Sequence, residues 1–142
     1  MLKFNSKLFI AIAATLVLSC TKSTDSDCPK DRMCTEEFRS LTVSFTDNKG
    51  APTAAKDYSA VLVRTGDTIK SNLNTVSNMV PGAFIVIDDS YTSKLSETGD
   101  EIKVSATSVQ TKQTKSTVIK VSGGECACHI KKVSGAEKVA FD

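Results

Sequence analysis

Five cysteines carry the strongest chemical signal in this chain: Cys20, Cys28, Cys34, Cys126 and Cys128. Cys20 closes an apolar run and belongs to different chemistry from the rest. The other four are an even number, which in an exported chain reads as two disulfides. Four cysteines allow three connectivities. Cys126 and Cys128 are two residues apart, so on a strand they share a face with Cα atoms roughly 6.6 Å apart. Their Cβ vectors then run parallel, a poor geometry for an S–S bond. Cys28 and Cys34 are therefore each expected to pair with one of Cys126 and Cys128. Such bridges would staple the N-terminal segment to a late strand.

The competing chemistry is a metal site. The four thiolates with His129 and Met33 would suit a soft ion such as Cu(I) or zinc, with Cys126, Cys128 and His129 as the candidate ligands. C-x5-C followed by C-x-C is not a zinc-knuckle spacing, and export favours oxidation of the thiols. A strand through 126–133 would also turn His129 away from both sulfurs. No metal and no other cofactor is expected. A redox role for the C-x-C pair lacks the βαβ context of a thioredoxin-like fold.

Carboxylates offer less. Asp88-Asp89 are neighbours, and neighbours on a strand face opposite sides, so they read as a strand end rather than as an acid–base pair. Glu97, Asp100 and Glu101 surround Gly99 and supply oxygen ligands of the kind Ca²⁺ takes; a solvated turn accounts for them as well. His129 is the single histidine. The chain has no G-x-S-x-G, H-E-x-x-H, G-x-G-x-x-G or P-loop pattern. With no recognisable nucleophile–base pair, a non-enzymatic protein is expected.

These residues must be positioned by strands. Leu41, Val43 and Phe45 alternate with Ser40, Thr42, Ser44 and Thr46, a half-buried strand by its period of two. Asp47-Asn48-Lys49-Gly50 ends it with turn chemistry. Tyr58 to Thr65 reads as a second strand, with Val61 and Val63 on one face and Ala60 and Leu62 on the other. Residues 66–80 are irregular. Pro81-Gly82 opens a third strand, Ala83 to Ile87, apolar on both faces and expected in the centre of a sheet. Ile102, Val104 and Ala106 alternate in a fourth. Thr117, Ile119 and Val121 alternate in a fifth. Cys126, Cys128 and Ile130 share one face of a sixth, after the break at Gly123-Gly124. Val139 to Phe141 closes the sheet. About seven short strands separated by turns, without an amphipathic helix, predict an all-β fold, an immunoglobulin-like or transthyretin-like antiparallel β-sandwich.

The first nineteen residues are an address. Lys3 and Lys7 precede an apolar run from Leu8 to Leu18. Eleven residues fall short of the ~20 that span a bilayer and suit the h-region of a secretory signal. Leu16-Val17-Leu18-Ser19-Cys20 resembles a bacterial lipobox, which implies cleavage before Cys20 and lipidation of its thiol. Several acyl chains would hold the protein firmly, where one alone is marginal. Removal of 1–19 takes away Lys3 and Lys7 and leaves 16 basic against 16 acidic residues. A neutral chain without a basic stripe excludes nucleic acid as a partner. Residues 21–27 contain no apolar side chain and read as a tether reaching at most ~23 Å. Thr21 rather than Asp follows Cys20, which favours the outer membrane. Residues 28–142 form the single domain.

A resemblance sharpens the fold. Phe38 to Pro52 looks like the first strand and turn of transthyretin-like or carboxypeptidase-regulatory-like domains, where a strand ends in Asp, a polar turn with Gly follows, and then a Pro. Met33-Cys34-Thr35, with Cys126-Ala127-Cys128-His129 and Ser134-Gly135, resembles small Bacteroidetes-type lipoproteins. The resemblance implies a sandwich and names no catalytic residues. The expected function is that of a membrane-anchored exported lipoprotein in the cell envelope. It would be a binding or assembly module for a protein or glycan partner, with a metal-binding lipoprotein as the alternative. Loops 66–80 and 88–100 are the expected binding segments.

Overall fold

A computed structural model describes residues 28, 29, 31–71 and 80–142. Seven strands build two sheets: β1 (Ser40–Thr46), β2 (Ala55–Leu62), β3 (Ala83–Asp88), β4 (Asp100–Ser108), β5 (Thr114–Ser122), β6 (Lys131–Ser134) and β7 (Lys138–Ala140). One sheet has the order β3-β1-β7 and the other β2-β4-β5-β6. The fold is an all-β sandwich. Cys20, the expected signal segment 1–19 and the expected tether 21–27 lie outside the described residues.

Alternation builds the core. Leu41, Val43 and Phe45 from β1 face Ala60 and Leu62 from β2, Ile102, Val104 and Ala106 from β4, and Ile119 and Val121 from β5. The cross-strand register keeps these on one side, pairing Ile102 with Ile119 and Ala60 with Val104. Phe45 stacks on Phe141 with ring centroids 5.5 Å apart and meets Phe84 edge-on at 6.1 Å. The outer face of β4 carries Glu101, Lys103, Ser105 and Thr107, the polar half of the same pattern.

Four expectations are corrected. The second strand begins at Ala55 and ends at Leu62, so Val63 is outside it and half exposed. β3 is an edge strand, not a central one. Its apolar run is buried for two reasons. A bulge at Val86, where the register jumps from Ile87 opposite Leu41 to Ile85 opposite Thr42, lets the consecutive residues Val86 and Ile87 both join the core, and Ile85 is buried beside them. Tyr58 also crosses from β2, stacks on Phe84 at 4.3 Å and donates its hydroxyl to the Ile85 carbonyl. That burial pushes the Tyr58 phenol well above its usual range.

The third correction concerns direction. All pairings are antiparallel except β1 with β7, which is parallel. The chain leaves β6 in one sheet and crosses to the other at 135–137. It then lies beside β1, running the same way, and the whole intervening domain supplies the crossover that parallel strands need. The fourth correction is the cysteine segment. Residues 123–130 form turns and bends, and strand pairing starts only at Lys131.

Candidate functional site

One end of the sandwich gathers almost every chemistry-bearing residue named above. β3 ends at Asp88, whose carboxylate accepts the Ser90 backbone N–H and so caps a short 3-10 helix, Asp89–Lys94. The Ser71 hydroxyl donates to the other Asp88 oxygen at 2.8 Å. Against this helix packs the turn 123–130. The Gly123 N–H reaches Ser96 O and the Gly124 N–H reaches Thr92 O at 2.8 Å. A Cβ on Gly123 would strike the Thr92 carbonyl, so the close approach requires glycine there.

The cysteines pair across this end. Cys28 bonds Cys126 and Cys34 bonds Cys128, with Cα atoms 5.3 and 5.4 Å apart. The expected staple is present, but its geometric reason differs. Cys126 and Cys128 sit on a turn, and the N-terminal segment runs alongside it rather than alongside a strand. With all four sulfurs in disulfides, none is a thiolate ligand for a metal in this arrangement. Met33 is almost fully exposed.

His129 does not point into solvent, as a surface strand would place it. Its Nδ1 lies 2.7 Å from Asp89 Oδ2 and its Nε2 lies 2.9 Å from Thr35 Oγ. The two side chains of the His129–Asp89 pair are 12% and 10% exposed. Asp89 also accepts the Arg39 N–H on Oδ2 and the Ile130 N–H on Oδ1, both at 2.8 Å. Burial pushes the Asp89 carboxyl up, but the N–H bonds from Arg39 and Ile130 and the imidazole outweigh it and hold the group below its ordinary range. Thr35 and Asp89 were missed by sequence reasoning as members of one constellation with His129. The signal was present only indirectly: Thr35 follows Cys34 and His129 follows Cys128, so the bond joining the cysteines brings their successors together.

A second feature lies on the same end. The loop after β2 and the 3-10 helix flank a hollow of about 410 Å³. Leu62 and Ile69 contribute to its lining, with Arg64, Thr68, Tyr91 and Lys94 around it. Tyr91 ties its two sides, accepting from the Lys70 N–H at 3.0 Å and donating to the Lys70 carbonyl at 3.3 Å. Lys94 Nζ stands 4.7 Å above the Tyr91 ring. The expected binding loops therefore meet, although 72–79 lie outside the described residues.

Asp100 is not part of a calcium site. Its carboxylate receives Arg64 Nε at 2.7 Å, Arg64 Nη2 at 3.1 Å and the Ser96 N–H at 2.7 Å, while Glu97 and Glu101 are exposed. The Arg64 bond lowers the Asp100 carboxyl below its ordinary 3.8, burial opposes this, and the Ser96 N–H adds to the lowering. A carboxyl lower in the folded state binds fewer protons there than in the unfolded chain, so this contribution is present above the unfolded value and fades as pH falls through the folded one. Stability should decline as pH drops below about 4. Urea midpoints measured from pH 6 to pH 2 will show this, and Asp100→Asn should flatten the decline; an unchanged acid limb would remove the assignment.

Among the described residues no group of three His, Cys, Asp or Glu side chains is arranged to hold a metal ion. Comparison of the chain with protein-family models, with curated proteins and with solved structures gives no match.

Proposed function

We propose that this chain is an exported lipoprotein, held at the outer membrane through lipidated Cys20. Its transthyretin-like sandwich is a non-enzymatic binding or assembly module. One observation carries the binding reading. Segments 64–70 and 91–94 come from different loops, yet they meet around one hollow on the twice-bridged end of the sandwich. Loops on a rigid scaffold are where binding residues concentrate. The hollow's lining combines the apolar Leu62 and Ile69 with polar and charged side chains such as Arg64, Asp67, Thr68 and Lys94, the usual makeup of a recognition site. A protein or glycan partner fits that makeup, and the neutral mature chain argues against nucleic acid.

The test has two parts in the native bacterium. Cys20→Ser should abolish incorporation of labelled palmitate and release the protein from the membrane fraction. Retention with unchanged labelling would sink the anchor. A photo-crosslinking residue at Thr68, beside the hollow, should give a discrete adduct that one at Thr107, on the outer sheet face, does not. Equal or absent adducts would move the interface to a sheet edge through strand addition.

A further inference from the structure

We propose that Thr35 is a base-activated hydroxyl that accepts an acyl group from an activated ester, with His129 as the base. This goes beyond a binding role and does not depend on the hollow. The geometry supports it in three steps.

The first step is the tautomer. Asp89 as a carboxylate only accepts, and it already takes the Arg39 and Ile130 N–H groups. Its 2.7 Å bond to His129 therefore requires the proton on Nδ1. In the neutral imidazole this leaves Nε2 as an acceptor. The second step is the hydroxyl. Thr35 Oγ lies 2.9 Å from Nε2, so its O–H donates to that nitrogen. A hydroxyl bonded to a base that a third group orients is the arrangement that activates weak nucleophiles. Thr35 and His129 would react, while Asp89 is a positioning residue.

The third step is access. Thr35 is exposed, whereas His129 is largely covered. A groove of about 470 Å³ is lined by 37–41 and 130–132, the segments that follow Thr35 and His129 in the chain; neither of the pair lines it. Phe38, 60% exposed, offers an acyl chain an apolar surface there. Arg39 and Lys132 are paired with Glu37 and Glu137, and Lys131 has no ion pair among the described residues.

The chemistry balances without a further reagent. Thr35 Oγ forms a bond to the ester carbonyl carbon, and the bond from that carbon to the leaving oxygen breaks. The hydroxyl proton passes to His129 Nε2 and from there to the leaving oxygen. The products are an O-acylated Thr35 and a free alcohol or phenol.

The probe is p-nitrophenyl acetate, applied to the mature protein with both disulfides intact. Mass spectrometry of the peptides should place one acetyl group on Thr35, and hydroxylamine should remove it, as it removes esters but not the amides formed on lysine. Thr35→Val should abolish that adduct and Thr35→Ser should retain it. His129→Gln should slow its formation by about 100-fold, the usual worth of a positioned base. Peptide maps and thermal midpoints confirm that the variants keep both bridges and the fold. No ester on Thr35 overturns the proposal, as does an adduct whose rate is the same in His129→Gln.

Discussion

Replacing all four bridging cysteines with serine should lower the stability of the domain by about 7 kcal/mol, while breaking either bridge alone should cost about 3 kcal/mol. The asymmetry follows from nesting. Cys28–Cys126 and Cys34–Cys128 close loops with sequence separations of 98 and 94 residues. A loop of that length restricts the unfolded chain by about 4.7 kcal/mol in the chain-entropy model. Once one bridge exists, the second no longer closes the whole domain. It closes a small ring made of residues 28–34 on one side and 126–128 on the other. A ring of about ten residues is worth roughly 2.7 kcal/mol. Either bridge can play either part, so the first removal is cheap and the second is dear.

Urea unfolding of Cys28→Ser/Cys126→Ser, of Cys34→Ser/Cys128→Ser and of the quadruple variant decides the matter. Domains of this size usually have about 5–15 kcal/mol in total, so the quadruple variant should lose about half of its stability or more. Two single losses near 5 kcal/mol each that add up to the quadruple loss would show that the bridges act independently. Nesting would then be wrong.

Much of this fold was legible along the chain because burial of one sheet face imposes a period of two. Leu41, Val43 and Phe45 on β1, and Ile102, Val104 and Ala106 on β4, alternate cleanly and lie in the core as expected. Where the same reading failed, tertiary contacts had overridden a local pattern. Ala83–Ile87 looked central because it is apolar on both faces. The bulge at Val86 and the ring of Tyr58 bury an edge strand equally well. Cys126, Cys128 and Ile130 alternate as a strand would. The contacts of Gly123 and Gly124 with the 3-10 helix and the two disulfides bend that segment into a turn instead.

The constellation of Thr35, His129 and Asp89 was hidden for a different reason. Thr35 lies 94 residues from His129, and Asp89 lies 40 residues from it. No spacing rule links such positions. Only the expected pairing of Cys34 with a late cysteine hinted that Thr35 and His129 could meet. Asp89 was misread because Asp88 and Asp89 were placed on one strand. In fact Asp88 ends β3 and Asp89 begins the helix, which frees the two carboxylates for separate tasks.

Those tasks make Asp89 the most sensitive single residue of the bridged end. Asp89→Ala should lower stability by about 3 kcal/mol, because a buried donor stripped of its acceptor costs ~1–3 kcal/mol and three donors converge here. The Ile130 N–H matters most, since Ile130 is buried and water cannot readily replace the carboxylate. The Arg39 N–H is more exposed and part of a reciprocal pair, with the Asp89 N–H bonding the Arg39 carbonyl at 3.0 Å. Asp89→Asn should cost almost as much, because an amide supplies one acceptor and sets its own N–H groups against the remaining donors. His129→Gln removes only one of the three donors and should cost less than either. The same carboxyl is held below its ordinary 3.8, so its stabilisation is present above that value and lost as pH falls through the folded one. Asp89→Asn should therefore lose part of the acid sensitivity of the parent protein as well. Unfolding measured with both disulfides intact separates two roles for the carboxylate. A loss in Asp89→Asn larger than in His129→Gln means that it fastens the backbone of the N-terminal segment and the cysteine turn. Equal losses would mean that it acts only through the imidazole, and the backbone clasp would fall.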